Sequence, residues 1–336
     1  MAAPSNGGLA LSLAVERFPY HRPFRISGHV FTETALLVAE LSDGAHRGRG
    51  EGAGVYYLGD DIGHMLDEAE RVRPAIEAGA TRAELQRLLP PGGARNAIDC
   101  AFWELEAQRA GRPVWQLAGL EAPRPLPSTL TLGADAPAAM AEAALAIDRA
   151  APIKVKLTGD VDEDLARIAA IRAARPDAWI GVDANQSYNL QTLPRLMPGL
   201  LGAKVAQLEQ PLARGREADL DGLERPLPFV ADESALSLGD TEALVGRFDA
   251  VNIKLDKCGG LTEGLAIARQ ARALGLDVMV GNMMGSSLSM APSYLVGQLC
   301  DIVDLDGPTF LARDRHPGVV YENGMIHCPQ AIWGAA

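Results

Sequence analysis

The chain has 336 residues and a mass of 35.6 kDa, with 48% hydrophobic and 22% charged residues, the balance of a chain that packs a core rather than one that stays disordered. Its 31 basic and 43 acidic residues leave a formal charge of −12, which argues against a nucleic acid or an anionic membrane surface as partner. No apolar run reaches the roughly 18–20 residues of a membrane span, and the first basic residue, Arg17, comes too late for a signal peptide, so a cytoplasmic chain is expected.

Apolar runs at 9–15 and 34–41 read as strands, the second ended by the turn Ser42-Asp43-Gly44. A glycine-rich patch, 48–54, leads into helical patterns over 62–89. After the break Pro90-Pro91-Gly92-Gly93, residues 94–110 form a further helix that stops at Gly111 and Pro113. This opening third is α+β. From residue 126 the pattern changes to eight short apolar strands, at 128–132, 153–157, 179–183, 205–209, 229–232, 250–255, 277–280 and 302–306. Amphipathic helices such as 162–174 and 262–274 separate them. Strands alternating with helices make a parallel sheet, and eight such units suggest closure, so the fold class is α/β, a (β/α)8 TIM-like barrel.

The motifs that are missing narrow the chemistry. Cys100, Cys258, Cys300 and Cys328 are scattered, which fits reduced packing thiols rather than a disulfide frame or a zinc site. The six histidines form no His-x-His or His-Glu-x-x-His pair, and there is no phosphate loop, dinucleotide fingerprint or Gly-x-Ser-x-Gly elbow. Only five of the basic residues are lysine, and four of these fall in Lys154-Val155-Lys156 and Lys254-Leu255-Asp256-Lys257. Arginine cannot realistically release its proton, whereas lysine can.

Polar residues recur at the C-terminal ends of the strands, where such a barrel builds its site. They are Lys156, Asp183, Glu209, Asp232 and Lys254, each about one βα unit from the next. Three crowded carboxylates from adjacent strands repel one another unless a divalent cation neutralises them, and an all-oxygen set suits Mg²⁺, one per subunit. Lys154 and Lys156 share a strand face, and adjacent ammonium groups disfavour each other's charge, so Lys156 is expected to shift toward a useful base. Strands two and six lie across the barrel, so Lys156 and Lys254 flank the carboxylates from opposite sides as the expected catalytic pair. Lys257 reads as a helix-start surface charge, and Asn185 and Glu233 as supporting or capping groups.

The motifs Lys154-Val155-Lys156, Val182-Asp183-Ala184-Asn185, Glu209-Gln210-Pro211, Asp232-Glu233-Ser234 and Asn252-Ile253-Lys254 resemble the signature series of the enolase superfamily, muconate-lactonising subgroup. In that superfamily a Lys or His base works beside Mg²⁺. Residues 95–120, with Ala97-Ile98-Asp99 and Trp103-Glu104, resemble the end of its capping domain. The resemblance implies a capping domain at 1–122, a barrel carrying the active site at 123–310, and a last segment, 311–336, packing back on the first domain. It also implies that Asp183, Glu209 and Asp232 bind Mg²⁺, that Lys156 and Lys254 are the acid/base pair, and that loops at 17–34 and 50–58 close over the substrate.

Within the subgroup, Asp304-Leu305-Asp306 on strand eight discriminates. Alternation puts both carboxylates on one face, where they repel a dicarboxylate and pair with an α-ammonium group. This resembles the mark of the dipeptide epimerases, the best known of which act on L-Ala-D/L-Glu in cell-wall peptide recycling. The implied reaction is 1,1-proton transfer at the α-carbon of the C-terminal residue, through a metal-stabilised enolate. Lys154, Thr131 and Asn282 join the two aspartates as expected substrate contacts, with Arg25, or Arg22, the candidate for a substrate side-chain carboxylate. The expected partner is a small dipeptide, with a homo-oligomer as the assembly. The alternatives are an N-acylamino-acid racemase or o-succinylbenzoate synthase, a muconate-type cycloisomerase, and a non-catalytic ligand-binding barrel.

Overall fold

The computed structural model describes residues 8–26 and 28–336. It opens with a three-stranded antiparallel sheet, Ala10–Ile26, His29–Ser42 and Arg47–Ala53, paired in that order. The first two strands run well past the apolar stretches that mark them, as a long hairpin with a register shift between Pro19 and Phe24. The glycine patch is itself the third strand rather than a lead-in to helix. A Cβ on Gly48, Gly50 or Gly52 would stand 2.1, 2.0 and 2.1 Å from the carbonyl oxygens of Ala101, Ala97 and Gly93. Those three residues form an i, i+4 row on the helix Gly93–Ala110. Strand and helix backbones therefore touch directly, and only glycine fits between them.

The helix Ile62–Glu77 starts at Asp61, whose carboxylate accepts the His64 N–H, and buries Met65, Ala69, Val72 and Ile76 at helical spacing. A capping box of Thr81 and Glu84 starts the short helix Arg82–Leu88.

The eight parallel strands are Leu130–Leu132, Ile153–Lys156, Ile180–Asp183, Gln207–Glu209, Phe229–Ala231, Ala250–Ile253, Asp277–Val280 and Ile302–Val303, each paired with its neighbour in sequence. The Thr129 N–H donates to Val303 O at 2.9 Å, and the Leu305 N–H to Ser128 Oγ at 3.1 Å, joining the last strand to the first. Strands two to six are buried along their whole length, as a parallel sheet covered by helices requires. All eight run the same way, so their C-terminal ends share one rim.

Beyond the barrel, Val320–Glu322 and Met325–His327 pair with Leu126–Pro127 in a small sheet. Trp333 Nε1 then donates to Arg49 O at 2.7 Å and the Gly334 N–H to Glu104 Oε1 at 3.0 Å. Among the described residues, no helix is long and apolar enough to cross a membrane.

Candidate active site

Lys156, Asp183 and Glu209 are directly opposed across strands two, three and four. Asp232 and Lys254 follow immediately after the last residues of strands five and six. The five side chains thus form a row across five consecutive strands, and all are buried. Oxygens of the three carboxylates lie within 4.8 Å of one another. Lys156 Nζ donates to Asp183 Oδ2 at 2.6 Å at one end of the row, and Lys254 Nζ to Asp232 Oδ2 at 2.7 Å at the other.

Lys154 lies one layer deeper. Its ammonium stands 2.7 Å from Glu209 Oε2, 2.8 Å from Asp304 Oδ2 and 3.2 Å from Asp183 Oδ2. Burial works against its charge, but Asp304 and Glu209 outweigh that and hold its pKa well above the usual lysine range. It is a standing cation two residues from Lys156. Burial also works to raise Asp183, yet Lys156 and Lys154 hold it down at about 2. In the same way Lys254 and Lys257 override burial and hold Asp232 well below the carboxylate range. Glu209 goes the other way, up to about 7, through burial and then the Asp183 charge.

Four buried lysines thus face six buried carboxylates: Asp183, Glu209, Asp232, Glu233, Asp304 and Asp306. Carboxyl groups outnumber amines, burial and crowding push Glu209, Glu233 and Asp306 toward protonation, and Glu209 Oε2 has Lys154 nearby but no hydrogen bond of its own. Three converging carboxylates, one of them raised by burial and crowding and lacking a hydrogen bond at one oxygen, fit a hard divalent cation.

A cavity of about 260 Å³ opens above this row, roofed by the first domain. Lys154, Lys156, Lys254, Asp232, Thr131, Asn282, Asp304 and Asp306 all reach its wall. Strand eight ends at Val303, short of the expected 306, so the acidic pair lies in the loop just past it: Asp304 accepts from Lys154 Nζ and Thr129 Oγ1, and Asp306 from the Thr131 N–H at 2.6 Å. Burial, and next the Asp304 charge, push Asp306 up to about 7. Asn282 donates to Met283 O at 2.8 Å, while its side-chain oxygen is buried without a partner.

Three residues lie elsewhere than the sequence suggests. Arg25 is exposed and outside the cavity wall, because alternation on its strand turns Phe24 and Ile26 inward and Arg25 out; Arg22 is exposed too. Lys257 is no surface charge. The one-turn helix Leu255–Cys258 folds it back beneath strand five, where its fully buried ammonium donates to Asp232 Oδ1, Asp232 O and Asn252 O. All three of its donors are used.

The roof comes from the two stretches expected over the substrate, 17–34 and 50–58, though its individual residues are not among the expected contacts. Phe31, Tyr56 and Tyr57 face the cavity, with ring centroids 5.4 Å (Phe31–Tyr56) and 5.2 Å (Tyr56–Tyr57) apart. The available signal was the apolar run Val55-Tyr56-Tyr57-Leu58 directly after the glycine strand. Glu233 is also buried at the wall with one oxygen unpartnered, and burial, then Asp232 and Asp183, raise it to about 8.

Residues 11–119 match the mandelate racemase/muconate lactonizing enzyme N-terminal domain, and residues 137–332 the enolase C-terminal domain-like family. The chain is 38% identical over 314 residues to the L-Ala-D/L-Glu epimerase of Escherichia coli, covering 93% of this chain and 97% of that one. It is 40% identical over 255 residues to the N-acetyl-D-glutamate racemase of a Pseudoalteromonas species, covering 76% and 80%. An Agrobacterium tumefaciens enolase family member with homology to dipeptide epimerases, solved with sodium and L-Ala-L-Glu, superposes with a TM-score of 0.93 at 38% identity, over 97% of this chain and 100% of that one. The dipeptide epimerase of Methylococcus capsulatus, solved with Mg and L-Arg-D-Lys, gives 0.88 at 30% identity, over 96% and 97%.

Proposed function

The chain belongs to the mandelate racemase/muconate-lactonising family of the enolase superfamily, and on that premise we propose that it is an isomerase, a dipeptide epimerase that inverts the α-carbon of the C-terminal residue. The observation that carries this reading is the five-strand row from Lys156 to Lys254, with the acidic pair Asp304 and Asp306 just past the end of strand eight. Asp183, Glu209 and Asp232 would hold the divalent cation, Mg²⁺ in the Methylococcus neighbour. Bound there, the cation offsets the negative charge that grows on the substrate carboxylate as the α-proton leaves.

The chain's own groups do the rest. Asp304 and Asp306 receive the free ammonium of the dipeptide, which fixes its direction across the barrel mouth. The substrate carboxylate lies toward the triad, so the α-carbon falls between the two lysines. One lysine, with a neutral amine, takes the α-proton at Nζ, and the other, as an ammonium, returns a proton at Nζ to the opposite face. For the other epimer the roles exchange. The layer formed by Lys154 and Asn252 closes the floor and the aromatic roof excludes water.

The Pseudoalteromonas relative favours a second reading, a racemase of N-acylated amino acids. An acyl group would bring Asp304 and Asp306 no substrate cation, leaving Lys154 as the ammonium beside them. Incubating Mg²⁺-loaded protein in D₂O with free and N-acetylated dipeptides separates the two. The proposal requires a one-unit mass gain and appearance of the second epimer for free dipeptides, abolished by a chelator. Exchange confined to N-acylated substrates would replace it with the second reading.

A further inference from the structure

Resting on the epimerase reading, we infer that the C-terminal residue of the preferred dipeptide carries an uncharged, apolar or aromatic side chain rather than an acidic one. The ends of the substrate define where that side chain goes. With its ammonium at strand eight and its carboxylate at strands three to five, the α-carbon lies over the row of buried groups. The floor beneath is filled, so the side chain must rise toward the first domain.

The roof there is Phe31, Tyr56 and Tyr57, with Ile26 beside them on the wall. Among the described residues the cations on the cavity wall are Lys154, Lys156 and Lys254, and each already pairs with a carboxylate of the site. Neither Arg22 nor Arg25 reaches it. A side-chain carboxylate would enter a space with no cation to receive it, facing the acidic residues Glu33, Asp60 and Asp61. The Tyr57 hydroxyl, buried without a partner, is neutral and cannot replace a cation.

A cationic side chain fares no better, because those acids are already engaged. Glu33 pairs with Arg17 at 2.7 Å. Asp60 pairs with His64 at 2.9 Å and accepts the Gly93 N–H at 3.0 Å. Asp61 caps the helix through the His64 N–H. What the roof leaves uncommitted is ring surface, which rewards burial of apolar area.

The test measures kcat/KM for α-deuterium incorporation by Mg²⁺-loaded protein with L-Ala-L-Leu, L-Ala-L-Phe, L-Ala-L-Glu and L-Ala-L-Lys. Values for the leucine or phenylalanine dipeptide at least tenfold above both charged ones are expected. Turnover led by the glutamate or lysine dipeptide overturns this inference while leaving the epimerase reading intact. No exchange with any of the four overturns the epimerase reading itself. A second arm uses Phe31→Arg, which supplies the missing cation on the roof. The ratio of glutamate to leucine turnover should rise at least tenfold. An unchanged ratio in a variant that still processes the leucine dipeptide would mean that the side chain does not meet this roof.

Discussion

Replacing Lys154 by methionine keeps the length of the side chain and deletes its charge. In the metal-free protein that charge is shared among Glu209, Asp304 and Asp183, all buried, at 2.7, 2.8 and 3.2 Å. The variant would leave six buried carboxylates facing three lysines. Removing one partner of a buried ion pair costs about 3–5 kcal/mol, because the charge left behind is neither solvated nor paired. At roughly 1–2 °C per kcal/mol for a chain of 336 residues, Tm should fall by roughly 3–10 °C. The pKa of Lys154 is raised in the folded protein, so its stabilisation is complete at neutral pH and is lost only as pH climbs through the raised value. The deficit should therefore be present at pH 7. Mg²⁺ should recover part of it and raise the Tm of the variant more than that of the wild type, since it supplies the missing positive charge. Thermal unfolding with and without Mg²⁺ reads both effects. A metal-free variant melting within about 1 °C of wild type would refute the charge balance argued for the site.

Asp306 is pushed up to about 7, so it is a carboxylate only above that pH. For free dipeptides kcat/KM should drop by roughly tenfold per unit as pH falls below that value, while any residual turnover of an N-acetylated analogue should lack this limb. Identical profiles would remove Asp306 from ammonium recognition. Gly281→Ala would place a Cβ 2.8 Å from Asn252 Oδ1 and 3.1 Å from Lys254 Cε. Displacing the Lys254 stem should lower kcat by about a hundredfold with Mg²⁺ affinity nearly unchanged. A wild-type kcat would show that the position of this amine is not critical.

The site was more legible in the sequence than its surroundings, for a geometrical reason. Lys156, Asp183, Glu209, Asp232 and Lys254 sit at the same point of successive βα units, so an even spacing in the chain becomes adjacency on the rim. Strand runs buried on both faces were equally visible, because they are continuously apolar. Residues whose surroundings come from distant segments were not. Lys257 looks like a helix-start charge until the one-turn helix tucks it beneath Asp232, a contact across strands that no local pattern encodes. The glycines at 48, 50 and 52 suggest a loop because their partner is the backbone of a helix more than 40 residues later. Arg25 stands out in the sequence by its charge alone. Its orientation follows from Phe24 and Ile26, whose alternation the sequence does contain.

Epimerisation at this site requires two amines working from opposite faces of one carbon. Single variants Lys156→Ala and Lys254→Ala, each loaded with Mg²⁺ in D₂O, can be given the two epimers of one dipeptide separately. Each variant should lose epimerisation by about 10²–10⁴-fold. Each should still exchange the α-proton of one epimer, and the epimer spared should differ between the two. Exchange of both epimers by either variant, or the same epimer spared by both, would contradict the two-face arrangement.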